Sequence, residues 1–98
     1  MVQIIGITKS TVKGKKYTAI FDDNTRINFG SDVSTTFVEG ATSQKRYAYM
    51  KRHLANPIEK HRIENLIPSA ALLSYYLLWN TNDLQANIRI LNNKLKNQ

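Results

Sequence analysis

The run Ala70-Ala71-Leu72-Leu73-Ser74-Tyr75-Tyr76-Leu77-Leu78-Trp79 is apolar or aromatic at every position but Ser74. A helix written this way has no polar face to offer water, so it must be covered on most of its sides. It is about half the ~20 residues needed to cross a bilayer, so it reads as the spine of a soluble core and no membrane span is expected. Pro68-Ser69 precedes it, with Ser69 as the expected cap, and Asn80-Thr81-Asn82-Asp83 breaks it. The rest of the fold has to wrap this element.

Two kinds of covering material flank it. Downstream, Leu84, Ile88, Leu91 and Leu95 recur at steps of four, three and four, the stripe of an amphipathic helix. Upstream, the first 40 residues have the period of strands. Val2, Ile4, Ile5 and Ile7 form a β-branched run. Tyr17, Ala19 and Phe21 alternate with Thr18 and Ile20, and Thr25, Ile27 and Phe29 alternate again before Gly30, read as the strand's stop. Asp22-Asp23-Asn24 between the last two is turn chemistry. Residues 31–41 read as irregular. Thr42 or Ser43 then caps a helix to about Ala55, with Tyr47, Met50 and Leu54 on one side, and Asn56-Pro57 ends it. Ile58 to Ile67 reads as either a helical turn or a loop.

The expectation is therefore a single α+β domain over residues 1–98: a small N-terminal antiparallel sheet, a three-stranded meander in 1–30, followed by two or three helices in 42–96 packed on it. At 98 residues the chain has room for one modest core, burying roughly 60–65% of its unfolded surface. Trp79 is read as core, with an exposed interface anchor as the alternative.

Charge and residue types narrow the function classes. Fourteen Lys and Arg against seven Asp and Glu leave a net +7, a field that favours anionic partners. There is no cysteine, which excludes disulfides and cysteine-held zinc or iron–sulfur centres and suits a reducing compartment. The start Met1-Val2-Gln3-Ile4-Ile5-Gly6 lacks the basic and long apolar regions of a signal peptide and the glycine needed for myristoylation, so secretion is not expected. The glycines are scattered rather than gathered into a phosphate loop, and no serine sits in a nucleophile elbow. His61 and Glu64 share a helical spacing but lack the further ligands of a metal site, and His53 and His61 read as surface histidines. Asp22 and Asp23, adjacent in the chain, point to opposite sides and form no acid–base pair. No enzyme, cofactor or metal is expected.

Two basic clusters remain as binding candidates. Residues 45–62 carry Lys45, Arg46, Lys51, Arg52, Lys60 and Arg62 against the single carboxylate Glu59. On a helical wheel Lys45, Tyr49 and Arg52 lie together, two cations around a ring, a pattern that can grip phosphates or an acidic protein surface. The second cluster is the loop Lys9, Lys13, Lys15 and Lys16. Either can also be a solvated surface that serves solubility.

In order and spacing, these segments resemble a family of small proteins of unknown biochemical function encoded by nucleocytoplasmic large DNA viruses. The residues that carry the likeness are Ile4-Ile5-Gly6-Ile7-Thr8-Lys9-Ser10, Lys16-Tyr17-Thr18-Ala19-Ile20-Phe21, Asn28-Phe29-Gly30, Lys45-Arg46-Tyr47 with Arg52-His53, and Leu73-Ser74-Tyr75-Tyr76-Leu77-Leu78-Trp79-Asn80 with Leu84 and Ile88. The family's more strongly charged middle is reduced here to Ala41-Thr42-Ser43-Gln44. The resemblance implies a viral origin, no known catalysis and a place in the virion or the infected cell's cytoplasm. A minor capsid or cementing protein bound to capsid or other virion proteins is the leading expectation; non-specific nucleic-acid binding is the alternative.

Overall fold

A computed structural model describes residues 2–98; Met1, the head of the segment read above as lacking a signal, lies outside them. Three strands, β1 (Ile4–Lys9), β2 (Lys15–Phe21) and β3 (Arg26–Ser31), form an antiparallel meander in the order β1-β2-β3. The β2–β3 turn is the Asp22-Asp23-Asn24 segment: Asn24 has a positive φ of 69°, and Asp23 accepts from the Thr25 N–H at 2.9 Å. A bulge places Ile5 between the pairs Ile4↔Phe21 and Gly6↔Ile20.

A short 3₁₀ turn (Phe37–Glu39) leads into four helices: α1 (Ser43–Ala55), α2 (Pro57–Glu64), α3 (Ala70–Leu73), prolonged by a π-helical turn (Ser74–Leu78), and α4 (Leu84–Lys96). Their starts follow side-chain chemistry. Thr42, Asn56, Ser69 and Asp83 each accept from a backbone N–H of the helix they open, and Pro57 fills the first position of α2, where a missing N–H costs nothing. The undecided stretch 58–67 is thus mostly helix, because Asn56 both ends α1 and caps α2.

The apolar run is the spine. Leu72, Leu73, Leu77, Leu78 and Trp79 are buried, and they meet Ala19, Phe21 and Phe29 of the sheet and Leu91 and Leu95 of α4. Trp79 is 2% exposed, so it is core and not an interface anchor.

Gly30 does not stop β3, which runs on to Ser31. Its φ is +80°, and a Cβ there would stand 3.0 Å from Leu78 Cδ1 and 3.2 Å from Lys16 Cβ. The glycine is there because strand and spine approach so closely.

Candidate functional site

The site is built on α1, whose two faces have opposite characters. The inner stripe is Arg46, Tyr49, Met50 and His53, spaced three, four and seven apart. Tyr49 stacks on Trp79 with ring centroids 4.1 Å apart and planes 13° from parallel, and His53 lies 4.1 Å from Tyr49 on the same column. Flat rings find a flat partner in the indole, and this decides which way the helix faces. Tyr47, expected inside with Met50 and Leu54, is 67% exposed. Tyr47 and Lys51 are exposed on the opposite face, with Lys51 Nζ 6.0 Å from the Tyr47 ring centroid, while the exposed Lys45 and Arg52 flank the inner stripe, Arg52 lying 5.9 Å from the Tyr49 ring centroid.

Three candidate binding residues are structural instead. Tyr49 is the middle of the aromatic column. Arg46 donates from Nε to the Trp79 carbonyl at 2.7 Å and from Nη2 to the Asn80 carbonyl at 2.8 Å, with its guanidinium 5.5 Å from the Phe37 ring centroid. Lys16 leaves the lysine loop, donating to the Ser34 carbonyl and pairing with Glu39, whose carboxylate also accepts from Thr36 in a capping box. The physical reason is shared: each polar tip meets a fixed acceptor or ring that the chain brings from far away in sequence.

The remaining candidates, Lys9, Lys13, Lys15, Lys45 and Arg52, are exposed. Of the 14 Lys and Arg, only Lys16 and Arg46 are half-buried; the other twelve are exposed. Among the described residues Lys16 is the only Lys or Arg in an ion pair. Most carboxylates are engaged locally: Asp22 accepts from the Gln3 N–H, Asp23 from Thr25 and Asp83 from Ala86, while Glu39 holds Lys16 and Glu59 faces His53. The positive field is therefore left uncompensated at the surface.

The two basic clusters meet only in part. Lys15 lines a cleft of about 250 Å³ with Tyr49, His53, Glu59, Ser74 and Trp79, and Arg52 sits 5.9 Å from the Tyr49 ring at its border. Lys9 lies elsewhere, beside α4. Lys9 and Lys15 thus line different clefts.

Sequence reasoning missed His53 and Glu59 as a pair. His53 is not a surface histidine: its side chain is 18% exposed, and Nδ1 lies 3.2 Å from Glu59 Oε2 without the alignment of a hydrogen bond. Burial holds the imidazole below its ordinary pKa; Glu59 opposes that and Arg52 reinforces it. The available signal was Asn56-Pro57, which restarts the helix and turns Glu59, in the first turn of α2, back toward α1. His61 is exposed and contacts Asn65 through Nδ1. Among the described residues no three His, Asp or Glu gather as a metal site, and no helix is long and apolar enough to cross a membrane.

Comparison with known proteins agrees with the resemblance to large DNA viruses. An uncharacterized protein, L851, of Acanthamoeba polyphaga mimivirus is 35% identical over 78 residues, covering 74% of this chain and 78% of the viral one. No solved structure matches significantly. A family model described only as a family of unknown function, DUF5754, matches residues 5–53, from the bulge of β1 to His53 in the aromatic column. The chain belongs to this family of unknown function, which the giant-virus protein's likeness over most of the chain accompanies.

Proposed function

We propose that the protein is a non-enzymatic docking protein of a giant virus, a minor capsid or cementing component that binds acidic surfaces of other virion proteins. The observation that carries this reading is the set of twelve exposed cations without an ion pair, while most carboxylates are engaged in turns, caps and contacts to Lys16 and His53. A surface left with an uncompensated positive field attracts and orients an acidic partner, and such a partner adds stability to a domain with a small core. The likeness to a mimivirus protein supports the viral origin on which the virion setting is proposed. Quantitative mass spectrometry of purified particles tests it. The protein is expected at a fixed ratio to the major capsid protein and is released by raised salt. Detection in infected cells but not in particles overturns the virion role.

A second reading is favoured by one feature, the exposed Tyr47 of α1 with Lys51 Nζ 6.0 Å from its ring centroid. An exposed ring beside a cation can stack on a base while the cation holds a phosphate. This reading expects retention of single-stranded DNA or RNA in a filter assay, with affinity falling steeply as salt rises. No retention at low salt removes it.

A further inference from the structure

We propose that the free edge of β1 and the adjoining side of α4 form a groove that binds an extended acidic–apolar peptide segment of a partner protein by strand addition. This rests on the reading that the protein docks on acidic partners and names where and in what form one is taken.

The edge is open by geometry. The pairs Gly6↔Ile20 and Thr8↔Thr18 alternate with Ile7↔Ala19 and Lys9↔Tyr17, and Ser10 N–H donates to the Lys16 carbonyl at 3.1 Å. In an antiparallel ladder this puts the hydrogen-bonded pairs at Ser10, Thr8 and Gly6. The N–H and C=O groups of Ile7 and Lys9 therefore point away from β2, to the side where the sheet has no further strand.

At the start of the same edge the chain fills this need itself. The side-chain amide of Asn92 accepts from the Ile4 N–H at 2.8 Å and donates to the Ile4 carbonyl at 3.0 Å, as a paired strand residue would. Beyond Ile4 this substitution stops. Instead there is a groove of about 380 Å³ between β1 and α4, with Ile5, Ile7, Leu84 and Ile88 in its lining. Strand addition supplies backbone hydrogen bonds, and alternate side chains of the added segment find apolar seats of this kind.

Charge selects the occupant. Lys9 is the only Lys, Arg, Asp or Glu in the lining, and Asp83, next to Leu84 in the chain, accepts from the Ala86 N–H as a helix cap. A second copy would bring another net +7 to the same edge. An acidic segment meets Lys9 and the overall field favourably. The bulge at Ile5 and the charge at Lys9 are also devices that blunt an edge against indiscriminate pairing, so the site discriminates among strands.

The test is a nuclear magnetic resonance titration of the full chain with a short synthetic peptide alternating valine and glutamate, with polyglutamate as the purely electrostatic probe. Binding of the alternating peptide is expected to slow amide exchange at Ile7 and Lys9 and to shift the methyls of Leu84 and Ile88. Methylating the peptide nitrogens that face the edge abolishes it. Lys9→Pro, which removes only an outward N–H from the ladder, weakens binding about tenfold relative to Lys9→Gln. The methylated peptide needs no altered protein, so the inference stays testable if Lys9→Pro does not fold. Shifts confined to Lys45, Lys51 and Arg52 overturn the groove but leave acidic docking standing. Equal binding of the methylated peptide also overturns it. Exchange protection of Ile7 that rises with protein concentration in the absence of peptide makes a second copy the occupant and overturns it. If neither acidic probe binds, acidic docking falls together with the groove.

Discussion

The Nε–H of Arg46, in α1, donates to the backbone carbonyl of Trp79 at 2.7 Å, across 33 residues of sequence. The last carbonyls of a helix have no intrahelical donor, and the apolar spine ends at this point. Arg46 supplies the donors and ties α1 to the core it covers. Arg46→Met should lower stability by about 1.5–3 kcal/mol, the range for hydrogen bonds to a charged group. Arg46→Lys should recover little of it, since an ammonium cannot reproduce the planar fork against two carbonyls and the Phe37 ring. Urea midpoints measure both. An unchanged midpoint for Arg46→Met would return Arg46 to the surface set.

Gly30→Ala should destabilise by about 1–3 kcal/mol. The residue holds φ at +80°, and the added methyl would press on Leu78 and on Lys16 Cβ. Gly14→Ala is the comparison: its φ is +86°, but nothing lies within 4 Å of the added Cβ. The difference between the two midpoints isolates the packing contribution from the backbone one, and equal losses would show that the spine yields freely at Leu78.

Asn87 is fully buried on α4 and has all four of its amide positions used. Nδ2 donates to the carbonyls of Leu77 at 2.9 Å and Thr81 at 3.1 Å, while Oδ1 accepts from the Thr81 N–H at 3.1 Å and its hydroxyl at 2.6 Å. It thereby fixes the bend between the spine and α4. Asn87→Leu is nearly isosteric but strands two carbonyls and a backbone N–H, so a loss of about 2–4 kcal/mol is expected. Thermal unfolding of Asn87→Leu beside Ile88→Leu separates the hydrogen bonds from packing; equal melting temperatures would deny the amide its role.

What the residues make legible in advance is local chemistry. Thr42, Ser69 and the polar run ending at Asp83 mark helix starts, and the alternation around Ala19 and Phe29 marks the sheet that packs on the spine. What they hide depends on distant partners. On a helical wheel α1 has two plausible inner faces, and only the flat side of Trp79, thirty residues on, selects the one with Tyr49 and His53. Arg46 and Lys16 look like surface cations until the helix-end carbonyls and the Thr36–Glu39 capping box are in place. Asn87 reads as an ordinary polar residue of the amphipathic α4 unless the Leu77 and Thr81 carbonyls are known. The candidate site was therefore legible as charge and composition but not as geometry, because three of its eight residues take their role from contacts remote in sequence.

His53 makes stability depend on pH in a defined direction. Burial against Tyr49 holds the folded imidazole below its ordinary pKa, helped by Arg52 and opposed by Glu59, with Lys15 the other charged group lining the cleft. The unfolded chain then binds a proton more readily than the folded one. The contribution is complete above the unfolded value of about 6.5 and is lost as pH falls from there toward the folded pKa. Glu39 acts in a separate, more acidic window. Burial resists its ionisation, but Lys16 and Thr36 hold its carboxyl below the ordinary value, so its contribution is present above that value and lost as pH drops further. Urea midpoints taken between about pH 7.5 and 5.5 should fall for the natural chain and stay flatter for His53→Gln, since the substitution removes the imidazole whose burial links its protonation to unfolding. Glu59→Gln removes the one carboxylate that favours the charged ring and so lowers the folded pKa further, and its midpoint should fall more over the same interval than the natural chain's. Parallel profiles for the natural chain and His53→Gln would mean that the ring takes up its proton without leaving the aromatic column.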